Sequence, residues 1–118
     1  MTERYVDTLA RLLTKARYRH TTDELMLQQE LASHLALLGV KHEREVRLSG
    51  KDRIDFLCGT IGIEVKVAGS ANNVTAQLLR YAESERVTGL VLFTTRAQIV
   101  VPRVLNEKPV ARSLYTTL

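Results

Sequence analysis

Asp55, Glu64 and Lys66 are the residues of this chain whose types and spacing best suit chemistry. They lie in Arg53-Ile54-Asp55-Phe56-Leu57 and in Ile61-Gly62-Ile63-Glu64-Val65-Lys66-Val67, two runs separated by Cys58-Gly59-Thr60. Runs rich in Ile, Val and Phe around a glycine predict two strands of a hairpin. With Cys58-Gly59 as the turn, Asp55 falls opposite Gly62 and diagonal to Glu64, within side-chain reach. Alternation then puts Ile54, Phe56, Ile61, Ile63, Val65 and Val67 on one apolar face. Asp55, Gly62, Glu64 and Lys66 share the other. Two carboxylates and an ammonium converge there beside a glycine that leaves open space, the outline of a metal site with a lysine next to it.

The surrounding elements must hold that hairpin. Val6, Leu9, Leu13 and Ala16 recur at helical spacing within residues 2–18. A second helix is expected after Thr21-Thr22-Asp23-Glu24, where Thr21 and Glu24 match a capping box. It carries Leu27, Leu31, Leu35 and Leu38 on one stripe and stops at Gly39. Residues 44–48 read as a strand and Ser49-Gly50-Lys51-Asp52 as the turn into the hairpin. Beyond Val67, a loop ending in Asn72-Asn73 leads to a helix over residues 74–86. Leu90-Val91-Leu92-Phe93 is wholly apolar, as a strand buried on both faces would be. Strand, helix, strand in that order predicts a parallel pair. Val110–Leu114 is expected to add a strand at the sheet edge.

The chain has 118 residues, 45% of them hydrophobic and 25% charged, enough for one domain with its own core and too few for two. Its division reads as a basic amphipathic helix over 1–20, a core over 22–95 and a C-terminal edge element over 96–118. The formal net charge of +4 favours an anionic partner. Arg4, Arg11, Lys15, Arg17 and Arg19 crowd the first 20 positions, opposed by Glu3 and Asp7. The single Cys58 excludes an internal disulfide and fits a reducing compartment. No stretch is apolar and long enough to span a bilayer, so a cytoplasmic protein is the expectation.

The order αβββαβ, with Asp55 on one strand and Glu64-x-Lys66 on the next, resembles the PD-(D/E)xK nuclease superfamily over roughly residues 22–95. Gln77-Leu78-Leu79-Arg80-Tyr81 is similar to the Gln-x-x-x-Tyr motif of its RecB-type branch. The brevity of the chain is closer to archaeal Holliday-junction resolvases and stand-alone phage nucleases. Ile54 stands where the name-giving pattern has proline. The resemblance implies a restriction-endonuclease-like α/β fold, a mixed sheet flanked by helices. It implies a Mg²⁺-dependent DNA nuclease, with Mn²⁺ able to substitute, and a homodimer or larger homo-oligomer. Asp55, Glu64 and the backbone carbonyl of Val65 would hold the metal, and Lys66 would act as the fixed cation. Glu30 would supply the acid of the first core helix, Gln77 would be catalytic, and Tyr81 would join Lys15, Arg17 and Arg19 in contacting nucleic acid. The rival classes are a non-catalytic nucleic-acid-binding module that kept the fold, and an assembly subunit. Taken singly, Glu64-x-Lys66 would be an ordinary solvated ion pair, Glu30 a solvent-facing helix residue, Glu24 a cap and Tyr81 a core residue.

Overall fold

A computed structural model describes residues 4–19 and 22–115, an α/β arrangement of six strands in one mixed sheet flanked by three helices. The proposed cap Thr21 and the first residues of the expected N-terminal helix lie outside the described residues. Helix α1 spans Tyr5–Lys15 and α2 Glu24–Leu37. Strands β1 (Glu43–Ser49), β2 (Asp52–Cys58) and β3 (Ile61–Lys66) follow, then α3 (Ala71–Ala82), β4 (Gly89–Thr94), β5 (Val104–Leu105) and β6 (Lys108–Leu114). The strand order is β1-β2-β3-β4-β6-β5. β1, β2 and β3 pair antiparallel, β3, β4 and β6 parallel, and β5 closes antiparallel on β6.

Each helix forms for a local reason. In α1, Val6, Leu9, Ala10 and Leu13 are buried at three- and four-residue spacing. Asp23 caps α2 by accepting the N–H groups of Leu25 and Met26. The buried stripe of α2 is Leu27, Leu31 and Leu35, whereas Leu38 is exposed just past the helix end. α3 begins at Ala71, three residues before the expected start, because Ser70 rather than Asn72 or Asn73 is its cap, its hydroxyl accepting Asn73 N–H. It ends at Ala82, four residues early.

The sheet carries a core on each face. α1 and α2 cover Phe56, Ile63, Val65, Val91 and Phe93. α3 covers Ile54, Leu57, Leu90 and Leu92 with its own Val74 and Leu78. β4 is buried along its whole length, as its apolar sequence requires. A fully buried Leu contributes about 2 kcal/mol, so two full faces can bear a few unfavourable inclusions. β6 is not an edge strand: it lies between β4 and β5, and α1 packs over it, with Thr14 Oγ1 2.8 Å from Ser113 Oγ. The reason is that Val110, Ala111, Ser113 and Tyr115 are all buried, so the C-terminal strand completes both cores.

Two expectations about the hairpin are corrected. The turn is Gly59-Thr60, with Cys58 opposite Ile61 and Leu57 opposite Gly62. Gly59 takes φ +62, a conformation open to glycine and poor for Cys58. Ile54 also changes face: it joins Leu57 under α3, while Phe56 lies under α2. Alternation therefore breaks at Asp55. Across from it on β1, between the Arg44–Phe56 and Val46–Ile54 pairs, Glu45 has φ +51. A left-handed non-glycine residue is uncommon, and it marks where both strands turn over together.

Candidate active site

β2 and β3 pair regularly from the turn as far as Phe56 and Ile63. Continued one residue, the register sets Asp55 directly across from Glu64, and there side chains replace the backbone ladder. Asp55 Oδ2 accepts the N–H of Val65 at 2.8 Å, and Glu64 Oε1 accepts the N–H of Asp55 at 3.3 Å. Each acid is thus anchored to the other's strand. Glu64 is 3% exposed, far from the solvated ion pair its sequence position alone suggests. Lys66 Nζ lies 3.3 Å from Glu64 Oε2 and is itself mostly covered.

Gly62 does not open the site. A Cβ there would collide with Ile54 Cδ1, so the space expected beside Asp55 is filled by the Ile54 side chain. The glycine is needed for packing.

α3 supports the acids from above. Gln77 Nε2 donates to Tyr81 Oη at 2.8 Å. Tyr81 Oη lies 3.1 Å from the Arg53 carbonyl and 3.3 Å from Glu64 Oε2. One hydroxyl hydrogen cannot serve both acceptors fully, and Glu64 Oε2 also faces the Lys66 ammonium. Burial, then the neighbouring Asp55, pushes the Glu64 carboxyl up to about 8, against the opposing pull of Lys66 and the Asp55 N–H. Asp55 is also raised, first by burial, with the Val65 N–H opposing and Glu24 adding to the rise. Two acids held close in a poorly solvated place share a shortage of positive charge.

The remaining sequence candidates divide. Tyr81 is 1% exposed, so its ring has no face for nucleic acid; its hydroxyl positions Glu64 instead. Glu30 is engaged by Arg19 and not by the acid pair among the described contacts, its Oε1 held through the Arg19 backbone N–H at 3.1 Å and Nε at 3.4 Å. The acid of α2 that does reach the site is Glu24. Its Oε1 accepts the N–H of Val67 at 3.4 Å, and it is the one α2 acid that acts on Asp55. Glu30 lies six residues on, about 9 Å further along the helix axis. The cap role belongs to Asp23, which leaves Glu24 free for the strand end. Lys15, Arg17 and Arg19 are exposed. α1 runs alongside β6, so this segment emerges where Lys66, Thr94 and Leu114 end their strands. Carboxyl ends of strands are where open α/β sheets bind ligands.

A divalent cation can be weighed against these residues. Among the described residues no group of three or more His, Cys, Asp or Glu could hold a metal ion. Mg²⁺, however, takes oxygen ligands, usually one or two carboxylates with several waters. Asp55 and Glu64 match that donor set, and their shared shortage of positive charge is what a cation would relieve. The residues fit Mg²⁺ or Mn²⁺. Compared with protein-family models, curated proteins and solved structures, the chain matches none of them. No helix among the described residues is long and apolar enough to cross a membrane.

Proposed function

We propose that this chain is a Mg²⁺-dependent DNA nuclease with a restriction-endonuclease-like core. One observation carries the reading: Asp55, half-buried, and Glu64, buried, are cross-anchored where β2 and β3 part, with Lys66 Nζ 3.3 Å from Glu64. Placing two acids there costs stability, on the order of several kcal/mol per uncompensated charge, and a purely structural hairpin would do better with Val and Thr. Asp55, Glu64 and the Val65 carbonyl would hold the ion. When bound, it supplies charge neutralisation on the scissile phosphate and eases deprotonation of an attacking water. Lys66 would stand as a compact cation against the negative charge that develops on the phosphate. Tyr81 and Gln77 fix the orientation of Glu64, and Glu24 brings a third acid to the end of β3.

The test is incubation with linear, circular and branched DNA in Mg²⁺ or Mn²⁺ beside an Asp55→Ala control. Cleavage that requires the ion and disappears in the control supports the reading; cleavage that survives EDTA sinks it. A second reading, a nucleic-acid-binding module that does not cleave, is favoured by the exposed Lys15, Arg17 and Arg19, which can meet a phosphate backbone without any metal. It predicts DNA binding with no products under any of these conditions.

A further inference from the structure

The tip of the β1–β2 hairpin and the outer face of α3 enclose a cleft of about 640 Å³. Arg47, Lys51 and Arg53 enter it from the hairpin and Arg80 from the helix. We propose that this cleft cradles the phosphodiester backbone of a DNA strand, a second basic surface besides Lys15, Arg17 and Arg19; the proposal rests on the nuclease reading above. The cations outnumber their counterions. Asp52 is the one carboxylate in the lining, and it is held by Arg80, with Nε 3.1 Å from Oδ1. Lys51 and Arg53 have no ion pair among the described residues. Gathering like charges from two elements is unfavourable in isolation and is relieved by a polyanion.

The cleft also lies in the right place. Arg53 is two residues before Asp55 on β2, and its carbonyl accepts the Tyr81 hydroxyl at 3.1 Å. Gln77 and Tyr81, which orient Glu64, are the wall shared by cleft and acid pair. β2 runs antiparallel to β3, so the hairpin tip sits at the carboxyl end of β3, beside Lys66. A strand lying in the cleft would bring successive phosphates past the acids. Recognition would be by backbone and not by base. Arginine forks match pairs of phosphate oxygens, and the one aromatic in the lining, Tyr81, is buried and offers no stacking face.

The experiment measures binding separately from cleavage, by anisotropy of a short fluorescein-labelled DNA duplex in EDTA across a salt series. The triple variant Arg47→Gln, Lys51→Gln, Arg53→Gln is set against Lys41→Gln, Arg44→Gln, Arg86→Gln, which removes the same charge at exposed positions outside the cleft. The cleft variant is expected to bind at least about tenfold more weakly and to lose roughly 2–3 from the salt slope, near one per phosphate contact. The control should change by less than about twofold. Equal losses in the two variants would overturn the proposal. Should the triple variant not melt cooperatively, Lys51→Glu, at an exposed turn position, carries the same comparison against Lys41→Glu. The two readings fail separately. Cleavage in Mg²⁺ with unaltered affinity in the cleft variants refutes the cradle alone. Cleft-dependent binding without cleavage refutes the nuclease and leaves the cradle standing.

Discussion

Replacing Asp55 by Asn tests whether the acid pair is a functional site or a structural one, and needs no substrate. The folded protein raises Glu64 from 4.5 to about 8, with burial the larger cause and Asp55 the next. Between those two values the native state keeps a proton that the unfolded chain releases. Stability is therefore greatest at the acidic end of the window and is lost as pH rises through about 8. The full shift corresponds to roughly 5 kcal/mol as a ceiling. Asn removes the Asp55 contribution, leaves the burial contribution, and keeps an oxygen to accept Val65 N–H. In EDTA, the melting temperature of Asp55→Asn should thus equal or exceed that of the wild type. Its decline from about pH 6 to about pH 9 should be shallower. Mg²⁺ at a hundredfold excess over its Kd adds about 2.7 kcal/mol to the wild type. That is a rise on the order of 10 °C for a chain of this size, and the variant should gain clearly less. Melts followed by circular dichroism read all of this. A lower melting temperature for Asp55→Asn in EDTA, by the 1–3 kcal/mol that a broken buried hydrogen-bond network costs, with no Mg²⁺ shift in the wild type, would refute the reasoning.

Tyr81→Phe strips one partner each from Gln77, the Arg53 carbonyl and Glu64, and should cost about 1–3 kcal/mol in urea unfolding; a neutral result would mean the hydroxyl is idle. Glu24→Gln should lower cleavage by about tenfold or more, whereas Glu30→Gln, whose carboxylate is held by the exposed Arg19, should leave it within about twofold and change stability by at most about 1 kcal/mol. The reverse order would restore Glu30 to the site. Gly62→Ala forces a methyl into Ile54 Cδ1 and should destabilise by about 1–3 kcal/mol. Ile54→Val deletes that carbon, so the double variant should be more stable than the sum of the two single losses. Strict additivity would show that Ile54 does not fill the space beside Gly62.

The elements were legible because local chemistry and tertiary demand agree: Val6, Leu9 and Leu13 of α1, Leu27, Leu31 and Leu35 of α2 and the apolar β4 are buried as their spacing assigns. The boundaries of α3 were not, since Ser70, Asn72 and Asn73 are all adequate caps and only the path from β3 selects among them. The sheet position of the C-terminal strand is hidden in the sequence for a different reason. Whether Val110–Leu114 is an edge or an interior strand depends on β5, two residues long, and on α1 arriving from the other end of the chain. Neither carries a signal in the segment itself.

The pairing of Asp55 with Glu64 could be read from residue types, but its geometry could not. Strand alternation assumes an even pleat, and the pleat reverses at Asp55, where Glu45 sits across at φ +51. That reversal sends Ile54 over Gly62 and turns an expected opening into packing. The choice between Glu24 and Glu30, in contrast, was available. Leu27, Leu31 and Leu35 define the buried face of α2, and Glu24 precedes Leu27 by three residues, on that same face at its end. Glu30 is one residue off the stripe, about 100° around the helix. A carboxylate that continues a buried stripe is aimed at whatever the stripe packs on, here the end of β3. Glu24 is not the cap; Asp23 performs that role with its own side chain. The stripe identifies which acid of the helix is aimed at Asp55 and the end of β3.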